Sequence, residues 1–223
     1  MVDVRSLVEL RNGEIWAGTN DRGIAVLDAD LRLLHGFRAG DGGYAGGRAG
    51  GISQAADGSV WAASDTGIAV FDPEQRRWLR NLAVGKGRVR VVLGLREGPV
   101  LVGTQDGLYR WRPGEAAMQR LRREDGSELV GDINALAQQT DGLVWVGGEA
   151  GLFRMAPEAE GPTPVSSAAA DQGPVLGMLL DRQQRVWLDR VSGLSRLSGW
   201  EGEQARFDRI SERIGLGGQS FGA

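Results

Sequence analysis

Three observations predict an all-β fold built from repeated four-stranded units. One segment is restated five times, and the copies align on anchor residues Trp16, Trp61, Leu101, Trp145 and Trp187. The anchors are spaced by 45, 40, 44 and 42 residues, a period typical of propeller blades. Helix-period apolar stripes are absent, and the 36 glycines in 223 residues indicate many turns. Together these features predict a β-propeller of four-stranded antiparallel blades, with five repeats present and a truncated sixth.

The repeats predict that residues 1–223 form one domain, which is either a complete β-propeller or part of one. The five blades are predicted at approximately residues 2–38, 49–83, 87–122, 131–156 and 173–210, with residues 217–223 starting a sixth. Phe221 stands 43 residues after Met178, at the apolar inner-strand position. Because the chain starts on one inner strand and ends inside another, we expect a fragment of a larger propeller. Self-association of the fragment would cover its open strand edges.

Each repeat carries the signals of a first, inner strand followed by a hairpin. An apolar residue stands nine positions before each anchor: Leu7, Ile52, Val92, Leu136 and Met178. A glycine stands three positions before the anchor in four copies, and Gln184 replaces it in the fifth. In three copies Asn or Asp precedes that glycine, as in Asp57-Gly58. Such pairs between two apolar runs are the strongest short-range hairpin signal.

A second hairpin and a fourth strand complete each repeat. Glycines follow the anchors by six or seven residues: Gly23, Gly67, Gly107, Gly151 and Gly193. A further apolar segment follows in the second and third repeats, at residues 77–82 and 118–121. We therefore expect four strands in each blade, with the tryptophan anchors packed between neighbouring blades.

The repeat resembles the two-component regulator propeller repeat. Residues 13–19 (GEIWAGT) and 142–148 (GLVWVGG) carry the pattern of this family best, and residues 103–108 (GTQDGL) carry its second half. Leu101 in place of tryptophan and the variant at residues 185–190 (RVWLDR) depart from it. The resemblance implies a periplasmic sensor propeller attached to an output domain, usually a histidine kinase or a diguanylate cyclase.

Composition excludes some classes of partner. The formal charge of −3, with acidic and basic residues interspersed, argues against binding of nucleic acid. No apolar run approaches the roughly 20 residues of a membrane span, and Met1–Arg5 lacks a signal-peptide core. Either the protein is cytoplasmic or its targeting segment is not in this chain, and the resemblance favours the periplasm.

Catalytic constellations are not apparent. His35 is the only histidine, so a histidine-centred metal site or a Ser-His-Asp triad has no second component. No metal or cofactor is predicted. The leading hypothesis is a non-enzymatic sensor module that recognises a small molecule, a saccharide or a protein partner. The alternative is a propeller-type lyase or glycoside hydrolase, which would need an acid and a base in the channel.

Candidate ligand contacts lie on the predicted channel face, where links between blades and second-hairpin loops meet. Arg5, Arg90 and Asn134 share one register, eleven residues before the anchor, where a packed core would prefer apolar side chains. The loops add Tyr44, Arg48, Asp65, Asp106 and Glu149. With Asp21, the last three could form a ring of carboxylates that binds a cation or a sugar hydroxyl. Arg88 belongs to a small basic cluster for which a solvated face is predicted, and the link at residues 156–174 is predicted to be a spacer.

Overall fold

The structure, a computed structural model, describes residues 3–46, 48–64, 67–168 and 171–210. These residues form five four-stranded antiparallel sheets, which we call blades, and one short 3-10 turn at Asp41–Gly43. In each sheet the strands pair in chain order. The predicted fold class of four-stranded antiparallel blades is confirmed. The predicted sixth repeat, residues 217–223 with Phe221, lies outside the described residues.

The described residues belong to two compact units that divide between Arg120 and Leu121. The first unit holds blades 1, 2 and 3. Blade 1 contains β1 (Val4–Glu9), β2 (Ile15–Thr19), β3 (Ile24–Leu27) and β4 (Leu33–Phe37). Blade 2 contains β5 (Ile52–Gln54), β6 (Val60–Ser64), β7 (Gly67–Asp72) and β8 (Arg77–Leu82). Blade 3 contains β9 (Val89–Gly94), β10 (Val100–Thr104), β11 (Gly107–Trp111) and β12 (Gln119–Arg120).

The second unit holds blades 4 and 5. Blade 4 contains β13 (Ile133–Gln138), β14 (Val144–Gly148), β15 (Gly151–Met155) and β16 (Thr163–Pro164). Blade 5 contains β17 (Val175–Leu180), β18 (Val186–Arg190), β19 (Gly193–Glu201) and β20 (Gln204–Arg209). No helix in the described part of the chain is long and apolar enough to cross a membrane.

The first hairpins of blades 1 to 4 have the predicted glycine in the left-handed conformation. In blade 2 the Asp57 carboxylate accepts a hydrogen bond from the Ser59 backbone N–H at 3.0 Å, and Gly58 has a φ of +92°. This pairing of an Asx turn with a left-handed glycine ends β5 and starts β6. In blade 5 Gln184 takes the left-handed conformation with a φ of +61°. Its carbonyl accepts a hydrogen bond from Gln139 Nε2 at 2.7 Å, so the strained residue also ties blade 5 to blade 4.

Within each unit, tryptophan anchors pack between neighbouring blades as predicted. Trp16 of blade 1 is fully buried and lies 5.2 Å, centroid to centroid, from Phe71 of blade 2. Trp61 of blade 2 lies 4.8 Å from Trp111 of blade 3. In the second unit Trp145 packs into a cluster with Val175 and other residues of blade 5. The apolar interface between successive blades therefore forms the core of each unit.

The fourth strands differ in how well the sequence indicates them. β8 has the predicted bounds, whereas β12 is limited to two residues. β16, at Thr163–Pro164, lies inside the segment predicted to be a spacer, so that prediction is wrong at this position. Pro164 cannot donate a ladder hydrogen bond, and an outermost strand is where a proline is tolerated. The proline-rich segment 156–174 therefore contains a short edge strand that its sequence does not indicate.

Candidate functional site

The inner strands of the first unit start side by side. Ser6 in β1 accepts a hydrogen bond from the Ile52 N–H of β5 at 3.0 Å. Gly51, just before β5, lies so close to β9 that a Cβ there would be 3.1 Å from the Val91 Cα. The side chains at the starts of β1, β5 and β9 therefore share one neighbourhood. The structure brings three predicted site residues together there: Arg5, Arg48 and Arg90.

These three arginines line a cavity of about 120 Å³. Its lining residues are Arg5, Arg48, Gly50, Arg88, Val89 and Arg90, and we call it the arginine cavity. Arg5 comes from blade 1, Arg48 from the glycine-rich link between blades 1 and 2, and Arg88 and Arg90 from the start of blade 3. Arg88, predicted to lie on a solvated face, is exposed but also lines this cavity. The sequence signal for it was its alternation with Arg90, which places both side chains on one side of the strand.

Positive charge dominates the arginine cavity. The described lining contains four guanidinium groups and no carboxylate. Arg5 pairs with Asp3 at 2.8 Å, and the Asp3 side chain is half exposed, so solvent screens that pair. The backbone N–H of Arg88 donates to Gln105 Oε1 at 3.1 Å, which fixes the chain here without using the Arg88 side chain. Guanidinium groups remain charged and present planar pairs of donors, which suit carboxylate, sulfate and phosphate groups.

Tyr44 does not reach the predicted channel mouth. Its side chain is fully buried and stacks on Trp78 with ring centroids 4.9 Å apart. Its hydroxyl donates to the Ala63 carbonyl at 3.3 Å. The glycine-rich link therefore folds its one aromatic side chain into the apolar core, because burying the ring outweighs leaving it on the surface. We correct the prediction and remove Tyr44 from the candidate site.

Asp106 organises its own turn between β10 and β11. Its carboxylate accepts hydrogen bonds from Thr104 Oγ1 at 2.5 Å and from Tyr109 Oη at 3.1 Å. Partial burial raises the pKa of this carboxyl, but bonds from Thr104, from the Lys86 backbone N–H and from Tyr109 outweigh burial and lower it overall. A carboxylate with this many internal donors is held in the turn. Asp65, which belongs to the corresponding loop of blade 2, lies outside the described residues.

The two predicted residues of the second unit have different surroundings. Asn134 Nδ2 donates to the Val175 carbonyl at 3.1 Å, which links β13 to β17. This bond gives Asn134 a structural role between blades. Glu149 is exposed, and its side chain lies against Gly131, where a Cβ would be 2.6 Å from Glu149 Oε2.

The described residues do not place His35 near a metal-binding or catalytic group of carboxylates. His35 is exposed in β4 and packs edge-on against Phe37, with ring centroids 4.4 Å apart. Within residues 3–46, 48–64, 67–168 and 171–210, no group of three or more His, Cys, Asp or Glu side chains is arranged to hold a metal ion.

Comparisons with known proteins find similarity in structure alone. No protein-family model and no curated protein matches the chain. The extracellular domain of BT3049 from B. thetaiotaomicron, assigned as a hybrid two-component system, is 17% identical, with a TM-score of 0.72 over 92% of this chain and 32% of that one. The extracellular domain of BT4673 from the same organism, assigned likewise, is 17% identical, with a TM-score of 0.71 over 93% of this chain and 27% of that one.

A third solved structure, that of U3-55K, is 12% identical, with a TM-score of 0.58 over 93% of this chain and 81% of that one. The chain thus spans less than a third of the length of the two extracellular domains. With sequence identities this low, the TM-scores establish a shared fold and nothing more specific. The chain is therefore a β-propeller structure of four-stranded blades, and its predicted resemblance to the two-component regulator propellers is confirmed at the level of the fold.

Proposed function

We propose that this chain is the ligand-binding sensor region of a signalling receptor and that the arginine cavity holds an anionic group of the ligand. The observation that carries the proposal is the convergence of Arg5, Arg48, Arg88 and Arg90, from blade 1, from the link between blades 1 and 2 and from the start of blade 3, on one cavity. Four guanidinium groups around one cavity create a positive potential, which attracts an anion. A carboxylate, sulfate or phosphate group would accept several charge-assisted hydrogen bonds from them.

The size of the cavity limits what it holds. About 120 Å³ accommodates one acidic group with little else. The rest of the ligand, such as the rings of an acidic saccharide, would extend over the surrounding strand ends. Arginines from separate blades would then be bridged by the ligand, so that binding reports on the relative position of the blades.

The location and output of the receptor are part of the same proposal. The similar solved domains are extracellular parts of proteins assigned as two-component systems, which supports an extracytoplasmic position for this chain. An output domain, a histidine kinase or a diguanylate cyclase, would receive the signal in the full-length protein.

The chemistry of the cavity favours binding over catalysis. A guanidinium stays protonated throughout the physiological range and cannot act as a general base. The described lining supplies neither the paired carboxylates of a glycoside hydrolase nor a histidine. A propeller-type lyase or hydrolase is therefore the second candidate, and it would be supported by product formation during a binding assay.

A thermal-shift comparison of matched sugars tests the proposal. Glucose, glucuronate, glucose 6-sulfate and glucose 6-phosphate share one ring and differ in charge. A ligand that binds only the native state raises the melting temperature by mass action. We expect the acidic sugars to stabilise the protein, glucose to have no effect, and Arg48→Gln and Arg90→Gln to abolish the shift. Arg77→Gln is the matched control, since Arg77 lies exposed on β8 and contacts Gln75. Equal responses to glucose and its acidic forms would contradict the proposal.

A further inference from the structure

The fifth repeat places an arginine where the others have small residues. Three positions after the anchor stand Thr19, Ser64, Thr104 and Gly148, and in blade 5 Arg190. Arg190 ends β18 and is only 4% exposed. Arg190 therefore differs strongly in size and charge from the small residues at this repeat position in the other blades. Arginine is rarely buried without a partner.

The contacts of Arg190 use only part of its guanidinium. One terminal nitrogen, Nη1, donates to the Gly173 carbonyl at 2.7 Å. The guanidinium carbon lies 5.6 Å from the centroid of the Phe207 ring. The Nε atom is buried and has no hydrogen-bond partner. An unsatisfied buried donor on a charged group is unfavourable by itself, so the contacts with Gly173 and Phe207 do not account for the Nε–H group.

Arg190 lines a cavity of about 310 Å³ in the second unit, which we call the Arg190 cavity. Its polar lining includes Ser166, Ser167 and Gln172, and its apolar lining includes Leu152 and Phe207. Residues of the link before β17 and of the loop between β14 and β15 also line it. Its volume is large enough for a small organic molecule and lies near the lower end of typical ligand sites.

The charges around the Arg190 cavity favour a ligand with one negative charge. Asp171 also lines the cavity, is 17% exposed, and lies 3.5 Å from Arg209 Nε. Asp171 also interacts electrostatically with Arg190, so one carboxylate lies near two arginines. A dianion would meet the Asp171 carboxylate, whereas a monoanion can face Arg190 and leave the pair of Asp171 and Arg209 intact.

We propose that the Arg190 cavity is a second ligand site, which binds a small monocarboxylate with a short apolar or hydroxylated body. The carboxylate would accept the unused Nε–H of Arg190, and the hydroxyls of Ser166 and Ser167 would donate to it or to a hydroxyl of the ligand. Leu152 and Phe207 would cover the carbon chain. This site shares no residue with the arginine cavity. The two proposals are therefore tested independently.

Saturation-transfer difference NMR with defined probes tests the site. The probes are butyrate and 3-hydroxybutyrate, with butyramide as the neutral analogue of the same shape and sulfate as a competitor of higher charge. The protein is compared with Arg190→Gln and with Ser166→Phe, which fills the cavity from an exposed lining position and leaves Arg190 in place. Arg182→Gln is the matched control, because Arg182 is exposed and does not line the cavity.

We expect saturation transfer to both carboxylates, none to butyramide, and no displacement by sulfate. Binding should weaken at least about tenfold in Arg190→Gln, the loss expected for one charge-assisted hydrogen bond, and likewise in Ser166→Phe. Arg182→Gln should bind as the unmodified protein does. Thermal melts followed by circular dichroism show whether each variant is folded. If Arg190→Gln is unfolded, the loss of binding in Ser166→Phe tests the site instead. The proposal is overturned if neither carboxylate binds at millimolar concentration, or if both bind Ser166→Phe unchanged.

Discussion

Two glycines of blade 1 have similar backbone angles for different physical reasons. Gly13, in the first hairpin, has a φ of +83° with open space around its missing side chain, and Gly23, in the second, has a φ of +79°. A Cβ at Gly23 would lie 2.0 Å from the Phe37 carbonyl oxygen of β4. Gly13 is thus needed for its conformation alone, and Gly23 also for the close approach of β4.

Alanine substitution at these two glycines separates the two effects. Gly13→Ala should lower the free energy of unfolding by about 1–2 kcal/mol, the strain of a left-handed alanine. Gly23→Ala should lower it by clearly more, since β4 must also move to avoid the overlap. Urea denaturation of both variants measures the difference. Equal losses would mean that the approach of β4 carries no energetic weight.

Arg90 and Asn134 share a repeat register but should respond differently to substitution. Asn134 holds the Val175 carbonyl, so Asn134→Ala should lower the free energy of unfolding by about 1 kcal/mol. Arg90 is exposed at the arginine cavity, and Arg90→Gln should change stability by less than about 0.5 kcal/mol. Thermal and urea melts provide the comparison. A loss at Arg90 as large as at Asn134 would indicate a structural role for both residues.

Asp189 of blade 5 occupies a register where blades 1 and 4 have Gly18 and Gly147. Burial raises the pKa of its carboxyl, and its Oδ1 atom has no hydrogen-bond partner. Because the pKa is raised in the folded state, the ionised carboxylate destabilises the fold at neutral pH. This penalty disappears as the pH falls through the folded-state pKa and the group becomes protonated.

Asp189→Asn should therefore raise the melting temperature at about pH 7, by no more than about 4 °C for a chain of this length. The advantage should shrink as the buffer is acidified to about pH 4. Parallel melting curves of the two proteins across this range measure the effect. A difference that stays constant with pH would show that the Asp189 charge is not responsible.

Side-chain directions mark the limit of prediction at the residue scale. Strand periodicity fixes which face of a strand a residue occupies, and Arg5 and Arg90, which share a repeat register, both line the arginine cavity. Asn134 shares that register but bonds to the Val175 carbonyl. Tyr44 was misplaced because its glycine-rich link has no periodicity from which burial can be inferred. The burial of Arg190 had only one signal, the replacement of a small residue at a fixed repeat position. The sequence repeats therefore predict which face of a strand a residue occupies. They do not predict the burial of residues that depart from the repeat, such as Arg190, or of residues in the links, such as Tyr44.

At the scale of strands and blades, the first three strands of each repeat could be predicted because their turns are chemically marked. The fourth strands are less marked, and β12 and β16 contain only two residues each. Only one of their edges is paired within the blade, so sequence constrains them weakly. β16 was missed because Pro164 suggested a spacer, although a proline is compatible with an edge strand.

The tryptophan anchors should contribute unequally to stability. Trp61 is fully buried between blades 2 and 3, so Trp61→Ala should lower the free energy of unfolding by about 3–5 kcal/mol. Trp187 is half-buried and donates its indole N–H to Asp181 at 2.9 Å, so Trp187→Ala should lower it by less than about half as much. Chemical denaturation monitored by circular dichroism gives both values. A larger loss at Trp187 would contradict the account of packing between blades.

At the scale of the whole molecule, the fold alone leaves the ligand open. Extracellular domains assigned to two-component systems and U3-55K both match this chain with low identity, so the blades supply a scaffold that fits more than one protein. In the proposed function, ligand specificity comes from side chains at the strand ends, and the arginine cavity is the strongest candidate site among the described residues. Arg5, Arg48 and Arg90 are far apart in sequence, so no local motif joins them: the repeat register indicated Arg5 and Arg90, and the loop position indicated Arg48.

The central claim is that the arginine cavity binds an acidic group, and isothermal titration calorimetry tests it most directly. The acidic sugar with the largest thermal shift is titrated into the protein, into Arg48→Gln/Arg90→Gln and into Arg77→Gln, each at low and at high salt. The account predicts binding that weakens with added salt, as charge pairing does. It also predicts a loss of at least about a hundredfold in the double variant, roughly tenfold for each lost charged contact, and no change in Arg77→Gln. Binding of equal strength in the double variant, or binding insensitive to salt, would contradict it.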